Sequence, residues 1–90
     1  MTKATRKHYD SDAEHMVVVT VTKYGEQHFD LKVRTFYGKT QKCDQGIGFD
    51  VINLSKSGVY DAAVFADKMV SGKTLDLFAQ VMIDLNNIEG

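Results

Sequence analysis

The chain predicts an α+β two-layer sandwich. A three-stranded antiparallel sheet, which a fourth strand can join, carries C-terminal helices packed on one face. Three observations point there. The β-branched run "MVVVTVT" and the alternating run "HFDLKVRTFYG" both read as strands, with a short glycine turn between them. A third apolar run, "FDVINL", follows a polar loop. The last quarter of the chain then changes to helical spacing. Strands first and helices last is the pattern of an α+β fold rather than of a parallel α/β sheet.

The elements follow in order. Residues 1–15 are polar without an apolar period and read as an N-terminal arm, ahead of a single domain over 16–90. In Met16–Thr22, Val17, Val19 and Val21 share one face. "KYGEQH" turns the chain, with Gly25 at its centre. In the next strand Phe29, Leu31, Val33, Thr35 and Tyr37 fall on one face. His28, Asp30, Lys32, Arg34 and Phe36 fall on the other, as in a half-buried strand. The loop 38–48 is polar, with glycines at both ends. In "FDVINL" Phe49 and Val51 share a face, with Ile52 and Leu54 partly opposite, and "SKSG" breaks the strand. The segment 59–70 suits either a fourth strand or a helix. Its alanines and the spacing of Ala62, Phe65, Ala66 and Met69 favour a helix, closed by Gly72 in the left-handed conformation. Thr74 is positioned to cap the final helix, with Asp76 in its first turn and Leu75, Phe78, Val81, Met82 and Leu85 as its apolar stripe.

Composition narrows the function. With 43% hydrophobic and 26% charged residues, the 90-residue chain has the make-up of a soluble globular domain. No apolar run reaches the ~18–20 residues of a membrane span, and the charged first residues lack the apolar segment of a secretory signal. Cys43 is the only cysteine, which excludes an intrachain disulfide and fits a reducing, cytoplasmic compartment. The formal net charge of −1 hides a basic middle, Lys32 to Lys42, and an acidic half after Cys43.

The stretch "HYDSDAEH", His8 to His15, is rich in potential metal ligands. Counted from Asp10, however, a calcium loop would need glycine where His15 stands and glutamate where Val21 stands. Zinc would need further spaced His or Cys ligands, and only His28 and Cys43 remain. "GIGFD" lacks the third glycine of a dinucleotide fingerprint. "SGKT" has Asp67 where a phosphate loop needs its first glycine. No nucleophile elbow or H-E-x-x-H is present. The expectation is a non-enzyme with no metal and no cofactor.

The basic middle is the candidate binding site. Lys32 and Arg34 share a strand face with Phe36, and Lys39 and Lys42 lie in the loop beyond. A solvated strand face is ordinarily charged, but a large aromatic on that face implies contact with something. The leading expectation is a small protein-binding module, of the kind that inhibits a larger protein or complex in phages and other mobile elements. The alternative is a weak nucleic-acid-binding domain using the same five residues, since cations interleaved with an aromatic suit phosphates and bases. Met16, Val18, Ile52, Leu54 and Phe36 fall opposite the best apolar stripes, so a homodimer is also expected. It would use the uncovered sheet face or an edge strand, Met16–Thr22.

Overall fold

A computed structural model describes residues 1–12, 14–37 and 48–89. The architecture is an antiparallel four-stranded sheet followed by two helices. The strands are β1 (Thr2–Asp10), β2 (His15–Gly25), β3 (His28–Tyr37) and β4 (Gly48–Leu54). The helices are α1 (Lys56–Met69) and α2 (Thr74–Glu89). The spatial order β1-β2-β3-β4 is the sequence order, so each strand turns back beside its predecessor. Helix α2 lies across β1 and β2, and α1 lies across β3 and β4, all on one face. Between the layers Val17, Val19 and Val21 of β2 and Phe29, Leu31 and Val33 of β3 meet Val59, Ala63 and Ala66 of α1. Leu77, Phe78, Val81 and Leu85 of α2 complete the core.

The fourth strand comes from the segment expected to be an arm. Residues 2–10 pair with β2 over nine positions, from Thr2↔Lys23 to Asp10↔His15. The apolar period is missing because Ala4 is the only buried hydrophobic residue in β1. In place of further hydrophobic burial, Arg6 reaches across to α2, its Nε and Nη2 donating to the Asp84 carboxylate at 2.6 and 3.0 Å. The "HYDSDAEH" stretch is therefore the tip of the β1–β2 hairpin. Asp10 accepts a hydrogen bond from the Asp12 backbone N–H at 3.0 Å, and Glu14 takes φ 49°. Among the described residues, no three His, Cys, Asp or Glu side chains converge as metal ligands.

Several local details differ from the sequence reading. The face of α1 is Val59, Ala63 and Ala66, while Phe65 and Met69 are 54% and 62% exposed. Small residues let the helix approach the sheet closely, which rotates the large ones to its flanks. There the Phe65 ring lies 5.7 Å from that of Phe49. Ser55, in the segment read as a break, caps α1 by accepting from the Gly58 N–H at 3.0 Å. The C-cap of α1 is Val70 in right-handed conformation, so Gly72 does not close it. Thr74 does not cap α2. Its side chain is buried, its hydroxyl has no hydrogen-bond partner among the described residues, and Asp67 accepts from the Leu75 N–H at 2.9 Å instead.

Leu54 also changes sides. The β3–β4 register shifts between Phe29 and Leu31, and Asn53 takes φ 58°. This bulge leaves Ile52 exposed and returns Leu54 to the core. Asn53 holds it in place, its backbone N–H donating to Asp30 and its side-chain oxygen lying 2.7 Å from His28 Nε2. Finally, β2 is an interior strand, so Met16–Thr22 offers no free edge for a dimer. The outer strands are β1, which carries Lys3, Arg6 and Lys7, and β4, which carries the bulge. Both features discourage edge-to-edge pairing.

Candidate functional site

Both helices lie on one side, and among the described residues no layer covers the other side of the sheet. Because directly paired antiparallel residues project to the same side, the register writes out this open face in rows. The first row is Tyr9, Met16 and Phe36. The second is Lys7, Val18, Arg34 and Gly48, and the third is Thr5, Thr20, Lys32 and Asp50. The fourth is Lys3, Thr22 and Asp30. From strand spacings the face measures roughly 14 by 20 Å. It is a shallow surface lined by Lys3, Lys7, Met16, Val18, Arg34 and Phe36, continuing past Lys32 to Asp50 and Ile52.

The rows segregate chemistry. One end presents two aromatic rings flanking a methionine. The middle and far rows present four cations, Lys3, Lys7, Lys32 and Arg34, against the two carboxylates Asp30 and Asp50. Thr5 and Thr20 join side chains across β1 and β2 at 3.0 Å, giving the centre a polar floor. The opposite layer is acidic, with Asp61, Asp67, Asp76, Asp84 and Glu89 against Lys56 and Lys68 in the two helices. A near-neutral chain thus folds into a molecule with one basic side and one acidic side.

Arg34 is held in a defined pose. Its Nη1 and Nη2 each donate to the Asp50 carboxylate at 2.5 Å, and Nη1 also donates to the Val33 carbonyl at 3.0 Å. The side chain crosses Gly48 to reach Asp50, which lies diagonally two residues along β4. A Cβ at Gly48 would sit 2.9 Å from Arg34 Nη1, so any other residue there would push the guanidinium aside from this pose. The paired guanidinium holds the Asp50 carboxyl below the usual aspartate range, with Lys32 adding a smaller pull. At the far end Tyr24 is hydrogen-bonded to Asp30, which pushes the phenol above its ordinary value.

Of the expected site residues, Lys32, Arg34 and Phe36 stand together on this face, while Lys39 and Lys42 lie outside the described residues. The sequence reading missed Lys3, Lys7 and Tyr9 because the segment carrying them has no apolar period. The one signal within it is alternation, with Lys3, Thr5, Lys7 and Tyr9 at every second position. A second concavity runs between the end of α2 and the β2–β3 hairpin, past Lys23, Phe29, Lys56 and Met82. Its rim is tied by Lys23 Nζ donating to Glu89 at 2.7 Å, and opposite charges alternate around it.

Fold and surface together define the class: an α+β two-layer domain, four antiparallel strands and two helices, with one open basic face. No protein-family model, curated protein or solved structure matches this chain. Among the described residues, no helix is long and apolar enough to cross a membrane.

Proposed function

We propose that the open sheet face binds an extended polyanion, and that single-stranded nucleic acid is the ligand it fits best. The observation behind this is the row order: Tyr9, Met16 and Phe36 side by side, with Lys7 and Arg34 in the next row and Lys32 and Lys3 beyond. Aromatic rings offer stacking surfaces that any base can use, and neighbouring cations take the phosphates. A shallow face about 20 Å long suits a few unpaired nucleotides better than the grooves of a duplex. The reading is non-enzymatic, needs no cofactor, and places the protein in the cytoplasm.

A protein-binding or inhibitory module is the second reading. Met16 and Val18 at the centre of the face, with exposed Ile52 beside Asp50, support it, since apolar side chains among cations also suit an acidic peptide strand. Homodimerisation through the same face is the third. It would bring like charges together, so added salt should favour it.

Titration with a labelled dT oligonucleotide, its duplex form and a glutamate-rich peptide at two salt concentrations tests these readings. The expected result is a preference for the single strand, weakening as salt rises. Tighter binding of the peptide than of the oligonucleotide, with no loss in Phe36→Ala, would favour the second reading. A doubling of mass at high salt would favour the third.

A further inference from the structure

The proposed site contains an anion of its own. Asp50 grips Arg34 through two parallel N–H···O bonds, the fork that a phosphate also takes. It stands directly across from Lys32, so one carboxylate faces two of the four cations on the open face. The contact is open to solvent, with the Asp50 side chain 49% exposed and that of Arg34 24%. A strand lying over the third row would therefore reach Arg34 from the solvent side and meet a guanidinium already occupied.

We infer that Asp50 is an internal competitor for the ligand: it occupies Arg34 in place of a phosphate and sets the affinity of the open face below what its four cations would give. This rests on the nucleic-acid reading above and adds which residue limits binding. The exchange is balanced in charge. A phosphate oxygen replaces the carboxylate at Nη1 and Nη2, and the displaced carboxylate turns to solvent from the sheet-edge strand β4. Gly48 is part of the device, because its missing side chain lets Arg34 lie within reach of Asp50. Asp30 is the other carboxylate here, but it accepts from the Asn53 backbone N–H at 3.1 Å and is committed to the bulge.

The test uses the full chain and a labelled dT oligonucleotide, with affinity measured across a salt series for wild type, Asp50→Asn, Asp50→Ser and the double variant Arg34→Ala/Asp50→Asn. Each neutralised phosphate on a single strand contributes about −0.7 to the slope of log affinity against log salt. Releasing the Arg34 guanidinium from Asp50 should steepen that slope by about 0.7. The gain in affinity should be about two- to fivefold at low salt, the scale of an exposed ion pair. The gain should vanish in the double variant. Unchanged or weaker binding by folded Asp50→Asn and Asp50→Ser, with wild type still binding and Phe36→Ala still impaired, would overturn the competitor role alone and make Asp50 a positioning residue for Arg34. Failure of wild type to bind any oligonucleotide would overturn the nucleic-acid reading and this inference with it. Loss of fold in both single variants, seen by circular dichroism, would also overturn it, because Asp50 would then be needed to hold the sheet edge.

Discussion

At the residue scale, Phe36 and Thr74 make the clearest predictions. Phe36 stands half-buried in the aromatic row beside Met16, next to the row that carries Lys7 and Arg34. Truncation to alanine should cost about 1–3 kcal/mol of oligonucleotide affinity if a base stacks there. Fluorescence anisotropy reads this, and an unchanged dichroism spectrum shows that the sheet survives. Thr74 is the opposite case. Its hydroxyl is buried without a hydrogen-bond partner among the described residues, so the folded state bears a desolvation cost with no return bond. Thr74→Val keeps the branched shape and should stabilise the protein by about 1 kcal/mol, read as a higher urea midpoint. A lower midpoint would mean that the hydroxyl bonds to water at that site.

At the element scale, the contacts of α1 and of β1 set the two expectations. Helix α1 approaches β3 and β4 through Ala63 and Ala66, both fully buried. Ala63→Leu would force side-chain volume between the layers and should destabilise by about 1–3 kcal/mol. Thermal melting checks it, and the matching exposed change Ala79→Leu should do little. Strand β1 is attached to α2 by charge. Arg6 holds the Asp84 carboxyl below the usual aspartate range, through its hydrogen bonds first and then its charge. A carboxyl depressed in the folded state adds stability above its unfolded value, ordinarily near 3.8, and loses it as pH falls through the lower folded value. Asp50 behaves in the same sense. Urea midpoints taken from pH 7 downward should therefore fall mainly below about pH 4. Asp84→Asn should flatten that fall, and an identical profile in the variant would show that other carboxyls control it.

At the scale of the whole molecule, the separation of charge between layers decides behaviour in solution. Among the described residues four cations line the open face, while the two helices carry five of the chain's twelve carboxylates against two lysines. With one of these engaged by Asp50, three of the four described cations remain for phosphates. The wild-type salt slope on single strands should then be about −2. A slope near zero with retained affinity would mean that stacking on the aromatic row, and not phosphate contact, holds the strand. Light scattering separates self-association, since like-charged faces repel each other less as salt screens them. A mass near 10.1 kDa at low salt that stays constant as concentration rises is the expected outcome without ligand.

Much of this was legible in the residues themselves, for a physical reason. A strand's two-residue period places Val17, Val19 and Val21 together, and likewise Phe29, Leu31 and Val33. Lys32, Arg34 and Phe36 then have to face the other way whatever the sheet does next. The stripe Phe78, Val81 and Leu85 is fixed by helical geometry in the same local manner. What local pattern could not supply was anything decided by a partner distant along the chain. Residues 2–10 become a strand because β2 offers an edge and Asp84, 78 residues away from Arg6, offers a carboxylate. Lys3, Lys7 and Tyr9 join the open face only through that pairing. Leu54 returns to the core only through a bulge that Asp30 and His28 help to hold, and Arg34 meets Asp50 only because β4 is in register with a glycine at the crossing point. Side-chain period is a property of a segment. Pairing, register and the neutralising of one charge by another belong to the assembled sheet, and only the tertiary structure decided them.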